Sequence, residues 1–231
     1  MLYKTQGIVL NYIKYGETSI IAKVFTALFG RQTYIVHGVR TKKAKHRIAL
    51  FQPLMPLDMV VYHKKTANIQ RIVEVKCYSP INNILGNLPK ATIAIFLTEL
   101  LSKVLHEEEH NEKLFSFLLE AVLQLDAQPV GYQAFHLAFM LQLSNYLGFG
   151  VKVAKDIDIQ LYRAGYHAGF SPEEIKLLDD LLTKQLGKPI ITNKATIRKL
   201  TASIVSYYQL HIDTLATLKS LKILQEISSE L

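Results

Sequence analysis

The sequence predicts an α+β multidomain protein: a five-stranded β-barrel over residues 1–80, then an α-helical domain over residues 81–231. Two observations define this division. Near Pro80 the apolar pattern changes from short alternating runs to a spacing of three and four. The charge changes with it. Residues 1–80 hold 13 Lys/Arg against Glu17, Asp58 and Glu74, a balance of +10, whereas residues 81–231 hold 14 against 16. A basic front half joined to a near-neutral back half suggests that one domain meets a polyanion and the other does different work.

In the front half, residues 7–12 are β-branched and apolar, and Tyr15-Gly16-Glu17 supplies a turn. Residues 19–26 form the second strand, broken at Phe29-Gly30-Arg31, and residues 32–39 form the third. Pro53 and Pro56 bracket a bend before a fourth strand at 57–63, and Lys64 begins a polar turn that ends at Asn68. In the fifth, residues 70–78, Ile72, Val73, Val75 and Cys77 are interspersed with Arg71, Glu74 and Lys76. Strands this short have edges they cannot protect, and closure removes the edges. An OB-fold heads the candidates, and an SH3-like barrel fits the strand count equally well.

Asn82-Asn83, Gly86-Asn87 and Pro89 read as a connector. Pro89 suits the first turn of a helix whose face is Phe96, Leu97, Leu100, Leu101, Val104 and Leu105. Further helices are expected at about 112–125, at about 132–147 ending at Gly148, and from Ser171, where Ser-Pro-Glu-Glu makes a capping box. The last two are expected at about 194–211 and 213–227. Residues 151–170 read as an irregular, helix-free segment.

Several functions lack support. Cys77 is the lone cysteine, so neither an internal disulfide nor a multi-cysteine zinc site is possible, and no metal or cofactor is expected. There is no nucleotide-binding glycine loop, no nucleophile elbow and no Cys/His ligand pair, so no catalytic residue is assigned and the protein is not expected to be an enzyme. His106 and His110 flank an acidic helix end, and His167 sits in a polar loop near Asp156 and Asp158 without a ligand spacing. No signal peptide and no apolar run of roughly 18 residues is found, which predicts a soluble, cytoplasmic protein without a membrane partner.

The strongest functional signal is a run of five cations: Arg40, Lys42, Lys43, Lys45 and Arg47, with no acid among them. Like charges repel, so such a cluster needs either a polyanion or a solvated loop to hold it. Lys14, Lys23 and Arg31 extend the basic character. Tyr15 and Tyr34 are the candidate exposed rings on which bases stack, as barrels that bind single strands require.

The ordered features resemble the RecO recombination mediators of bacterial DNA repair. The likeness is carried by Gly7-Ile8-Val9-Leu10, Tyr15-Gly16-Glu17, Phe25-Thr26, Gly30-Arg31, His37-Gly38-Val39-Arg40 and Phe51-Gln52-Pro53-Leu54. Leu97-Thr98-Glu99-Leu100-Leu101, residues 141–148, Tyr208-Gln209-Leu210-His211 and Lys219-Ser220-Leu221 extend it. The resemblance implies an OB-fold on a helical domain. It also implies binding of single- and double-stranded DNA, annealing of complementary strands, and assistance to RecA on strands coated by single-strand binding protein (SSB), together with RecR. Many relatives carry a four-cysteine zinc module near residues 151–170, where this chain has no cysteine. Packing through Ile157, Ile159, Leu161, Tyr162 and Phe170 is the expected substitute.

The resemblance further implies docking of the acidic SSB tail on the helical half. An apolar pocket rimmed by cations is needed, with Arg198, Lys199, Lys152 and Arg163 as candidates. Two other readings compete: an RNA-binding OB protein of translation or ribosome assembly, and a protein–protein adaptor working through its helices.

Overall fold

The first strand, β1 (Leu2–Tyr15), organises the barrel because its length lets it pair on both edges. Its C-terminal half lies antiparallel to β2 (Ser19–Thr26) and its N-terminal half antiparallel to β4 (Pro56–Tyr62). A register shift between Val9 and Asn11 supplies the bend. Antiparallel pairing joins β2 to β3 (Gly30–Val36), and a short parallel pairing joins β3 to β5 (Gln70–Cys77) at Tyr34–Gln70 and Ile35–Arg71. The order β1-β2-β3-β5-β4 closes as an OB-fold barrel. These features belong to a computed structural model that describes residues 1–41, 45–105, 110–166, 169–215 and 217–230; the side chains of Lys45, His46 and residues 228–230 are outside that set.

Alternation fills the barrel. Ile8, Ile20, Ala22, Val24, Tyr34, Leu57 and Val61 are fully buried. Gly7 sits where the wall is tightest: a Cβ there would lie 2.5 Å from Met59 Cε and 2.6 Å from Val24 Cγ1. After β3 the chain forms a single helical turn, α1 (Lys45–Ile48), and a 3-10 turn (Ala49–Phe51) that buries Phe51. Arg47 and Lys45 therefore lie on helical backbone and not on an extended loop.

The described residues form two compact units, Met1–Asn82 with Thr98–Leu123 and Asn83–Leu97 with Gln124–Leu231. The barrel's unit thus includes the end of α3 (Leu88–Val104) and most of α4 (Glu112–Ala127). Phe25 stacks on Phe115 at 6.3 Å, and Asn11 Nδ2 donates to Ser102 Oγ at 3.4 Å.

In the other unit, α5 (Phe135–Tyr146) is apolar on nearly every side and lies at the centre, against α7 (Pro172–Thr183) and α8 (Lys194–His211). Tyr208 Oη donates to the Met140 carbonyl at 2.6 Å. The capping box of α7 is complete: Glu174 N–H donates to Ser171 Oγ at 3.2 Å, and Ser171 N–H to Glu174 Oε2 at 2.8 Å. Asn193 caps α8 through Thr196 N–H.

Three expectations need correction. The connector after Pro80 contains a helical turn, α2 (Asn82–Gly86), because Asp126 Oδ1 accepts from Ile84 N–H at 2.8 Å. The last helix, α9 (Lys219–Glu230), starts later than residue 213. Thr214 and Thr217, poor helix formers, occupy the intervening residues.

The third correction concerns residues 151–170, which contain α6 (Lys155–Arg163). Ile157 and Leu161, four apart, bury completely, and Phe170 is nearly buried. Ile159 faces outward and Tyr162 is 75% exposed, so neither helps to hold the segment. Carboxylates do part of that work: Asp179 Oδ1 accepts from Ala154 N–H at 2.6 Å, capping α6 from another helix, and Asp158 Oδ1 accepts from Phe170 N–H at 3.3 Å. Among the described residues, no group of three or more His, Cys, Asp or Glu is placed to hold a metal ion. Asp179→Ala is expected to cost about 1–2 kcal/mol in urea denaturation, the worth of a helix cap. Exposed Asp180→Ala should cost less than about 0.5 kcal/mol. Equal effects of the two changes would show that the cap is not what matters.

Candidate nucleic-acid interface

The alternation that fills the barrel also decides what it displays. Cross-strand partners form one continuous outer row: Ile13 opposite Ile21, Ile21 opposite Ile35, Ile35 opposite Arg71, Arg71 opposite Tyr62, and Tyr62 opposite Leu2. Ile13 is 62% exposed and Tyr62 50%, while Ile21 and Ile35 are half-buried. One pleat further along, Tyr15 lies opposite Ser19, whose Oγ is 3.2 Å from His37 Nδ1. Arg40 fixes the adjoining β1–β2 turn: its Nη1 donates to the Gly16 carbonyl and its N–H to the Thr18 carbonyl, both at 2.9 Å. Gly16 adopts φ +55°, which favours glycine in that turn.

The candidate residues divide. Tyr15, 52% exposed, and exposed Lys14 stand together at the end of β1 beside Arg40. Lys23 is half-buried on β2, opposite Thr33. Arg47 is exposed on α1. Lys42, Lys43 and the Lys45 side chain lie outside the described residues.

Tyr34 is not a stacking platform. It points into the barrel with no exposure, on the same face as Gln32 and Val36, and burial pushes its phenol pKa well above the ordinary range. Arg31 is half-buried, and its Nη1 donates to the Ser102 carbonyl at 2.8 Å in the last turn of α3. A cation there satisfies a terminal carbonyl and opposes the helix dipole, which is a structural role.

Sequence reasoning left Arg71, Lys64 and Lys65 unassigned. The two adjacent lysines in the β4–β5 connection of a predicted OB barrel were the available signal, since that connection commonly meets ligands in this fold.

In the helical unit, the four cations assigned to tail docking are not gathered together. Arg198 lies with Lys194 at a pocket of about 200 Å³ walled by Ile197, Thr201, Leu224 and buried His136. Lys199, one step along α8, turns away: its Nζ is 2.7 Å from Glu174 Oε2 and donates to the Gly169 carbonyl at 3.1 Å. Lys152 and Arg163 are exposed on the segment around α6 and do not line this pocket. Lys194, which sequence reasoning did not single out, joins Arg198 because the first turn of α8 faces the pocket.

His136 Nε2 is 2.7 Å from Thr201 Oγ1, and that hydroxyl is also 2.7 Å from the Ile197 carbonyl. Burial pushes the His136 pKa down to about 4, against a smaller opposing pull from the Gln133 backbone.

The architecture defines an OB-barrel protein with a helical C-terminal region. Residues 1–81 match the Recombination protein O N terminal family and residues 85–222 the Recombination protein O C terminal family. The chain is 33% identical over 240 residues to DNA repair protein RecO of Bacteroides fragilis, covering 98% of this chain and 99% of that one. It is 34% identical over 240 residues to DNA repair protein RecO of Flavobacterium psychrophilum, covering 99% and 100%. The chain belongs to the RecO family of DNA repair proteins. No helix among the described residues is long and apolar enough to cross a membrane.

Proposed function

We propose that this chain is a non-enzymatic recombination mediator. In this reading it binds single- and double-stranded DNA, anneals complementary strands, and works with RecR to help RecA onto strands coated by SSB. The observation that carries the DNA reading is the grouping of Lys14, Tyr15, His37 and Arg40 at one end of the outward-facing isoleucine row, of which Ile13 is the exposed member. The basic run follows directly from it. Cations meet phosphates there, and an exposed ring and apolar side chains meet bases. The test is annealing of complementary strands by purified protein. Absence of annealing, with equal binding to structured RNA, would favour the RNA-binding reading instead.

The pocket at Lys194 and Arg198 supports docking of an acidic peptide with an apolar C-terminal tip, the chemistry of the SSB tail. Its apolar walls suit one side chain, and the two cations suit the terminal carboxylate. Arg198→Glu is expected to weaken binding of a tail peptide to the full chain by at least about tenfold, the worth of one charge-assisted hydrogen bond. Lys152→Ala and Arg163→Ala should leave it within about twofold. Fluorescence anisotropy with the labelled peptide decides this, and loss of binding on changing Lys152 or Arg163 alone would move the site elsewhere.

A further inference from the structure

We propose that the free edge of β5 pairs with the same edge of a second copy of this chain, so that two barrels join through one continuous antiparallel sheet. The inference concerns the barrel alone and does not depend on the DNA reading above.

The barrel closes between β3 and β5 through two residue pairs, the last at Ile35–Arg71. Beyond Arg71, β5 is paired with β4 alone among the described residues. The ladder fixes which main-chain groups face outward. Tyr78 N–H donates to the Pro56 carbonyl at 3.0 Å, and hydrogen-bonded pairs alternate along an antiparallel ladder. Asp58–Lys76 and Val60–Glu74 are therefore the bonded pairs, and the N–H and C=O groups of Val75 and Cys77 point away from β4. The far edge of β4 agrees. His63 N–H donates to the Met1 carbonyl and Val9 N–H to the Met55 carbonyl, so the odd-numbered residues there face β1. Among the described residues, no backbone group bonds to the outward-facing groups of Val75 or Cys77.

Side-chain burial marks the same opening. Leu57 and Met59, on the inner face of β4, are buried, but Cys77 and Val75 opposite them are only half-buried. Val73, the extra residue of the bulge facing Val60 and Val61, is 48% exposed. A strand edge with unbonded main-chain groups and partly bare apolar side chains is a template for another strand.

The charges decide which strand that is. Glu74 and Lys76 are exposed on the outer face, and no ion pair among the described residues engages either. An antiparallel pairing centred on Val75 sets Glu74 of each copy opposite Lys76 of the other, brings Val73 beside Cys77, and places Val75 against its own equivalent. Two opposite-charge pairs form on the outer face, and the half-buried valines cover one another on the inner face. Centring on Lys76 instead would set lysine against lysine, and centring on Glu74 would set glutamate against glutamate, so charge selects the register. An arbitrary strand has no such match, whereas a second copy has it by symmetry.

The test is sedimentation velocity of the full chain. Pairing over about five residues a side is a small interface, so a dissociation constant of roughly 10–100 μM is expected. Val75→Pro removes an N–H that the barrel itself leaves unbonded, so the fold should survive while dimerisation weakens at least about tenfold. Glu74→Lys alone sets lysine against lysine twice and should weaken it by about as much, whereas Glu74→Lys with Lys76→Glu should restore it to within about threefold. This charge series decides the matter even if Val75→Pro does not fold. Val75→Cys in a Cys77→Ser background should give a disulfide-linked dimer on mild oxidation, because bonded pairs across strands lie about 5.5 Å apart at Cα. A chain that stays monomeric up to about 500 μM overturns the proposal and leaves the DNA reading untouched. A dimer indifferent to Glu74→Lys and to a folded Val75→Pro also overturns it, since the contact then lies elsewhere.

Discussion

Changing Lys42, Lys43 and Lys45 together to alanine is expected to weaken binding of single-stranded DNA roughly a hundredfold at 0.1 M salt. If Arg40, Lys42, Lys43, Lys45 and Arg47 each displace about one counterion, the slope of log K against log salt is about −3.5 for a single strand. Removing three contacts flattens it to about −1.5, and the two lines meet near 1 M, where the electrostatic contribution vanishes. All sequences should weaken alike, because phosphate contacts carry no base information. The fold should survive, since Arg40 holds the near end of the run to the Gly16 and Thr18 carbonyls and buried Phe51 anchors the far end. Alanine is also a strong helix former, so α1 loses nothing at Lys45. Salt titration by fluorescence anisotropy gives both slopes. An unchanged slope in a folded variant would return the run to the solvated-loop reading and direct attention to Lys14 and Lys23.

Acid should destabilise the helical unit through His136 before its carboxylates titrate. The folded-state pKa, about 4, lies below the ordinary value of 6.5, so between those values the unfolded chain binds a proton that the folded chain refuses. Stability is therefore full above pH 6.5 and falls as pH drops towards 4, by about 3 kcal/mol in total. The cause is desolvation: a charged imidazole buried against Phe96 and Thr201 in the core loses its hydration. His211 is shifted the same way by partial burial, but it is exposed and shares its Nε2 with Gln160, so its share is small. His136→Gln should lower stability at pH 8 yet flatten the loss between pH 6.5 and 4.5. Urea denaturation of both proteins across that range isolates the difference. Parallel curves would show that His136 titrates normally in the fold.

Much of the architecture was legible locally. The second strand is found at residues 19–26 as expected, because its apolar residues alternate between two turn signals. The capping box at Ser171 needs only residues three apart, and it forms as the sequence implies. The concentration of cations before residue 80 is a matter of composition and needs no fold to be seen.

The sequence by itself thus determined the strands, the barrel-then-helix order, the helix caps and the basic character of the front half. These depend on residues within a few positions of one another. Tertiary structure alone decided which face of each strand is inside, and so Tyr34 became core while Tyr15 stayed in solvent. A period of two defines two faces without ranking them until the barrel closes. The same holds for partners. Arg31 is taken up by Ser102, 71 residues away, and α6 is capped by Asp179, 25 residues beyond Ala154. Arg198 and Lys199 are adjacent in sequence, yet a step of about 100° around α8 sends one to the pocket and the other to Glu174. A side chain's charge is written in the sequence, but what neutralises it depends on contacts that only chain folding brings together.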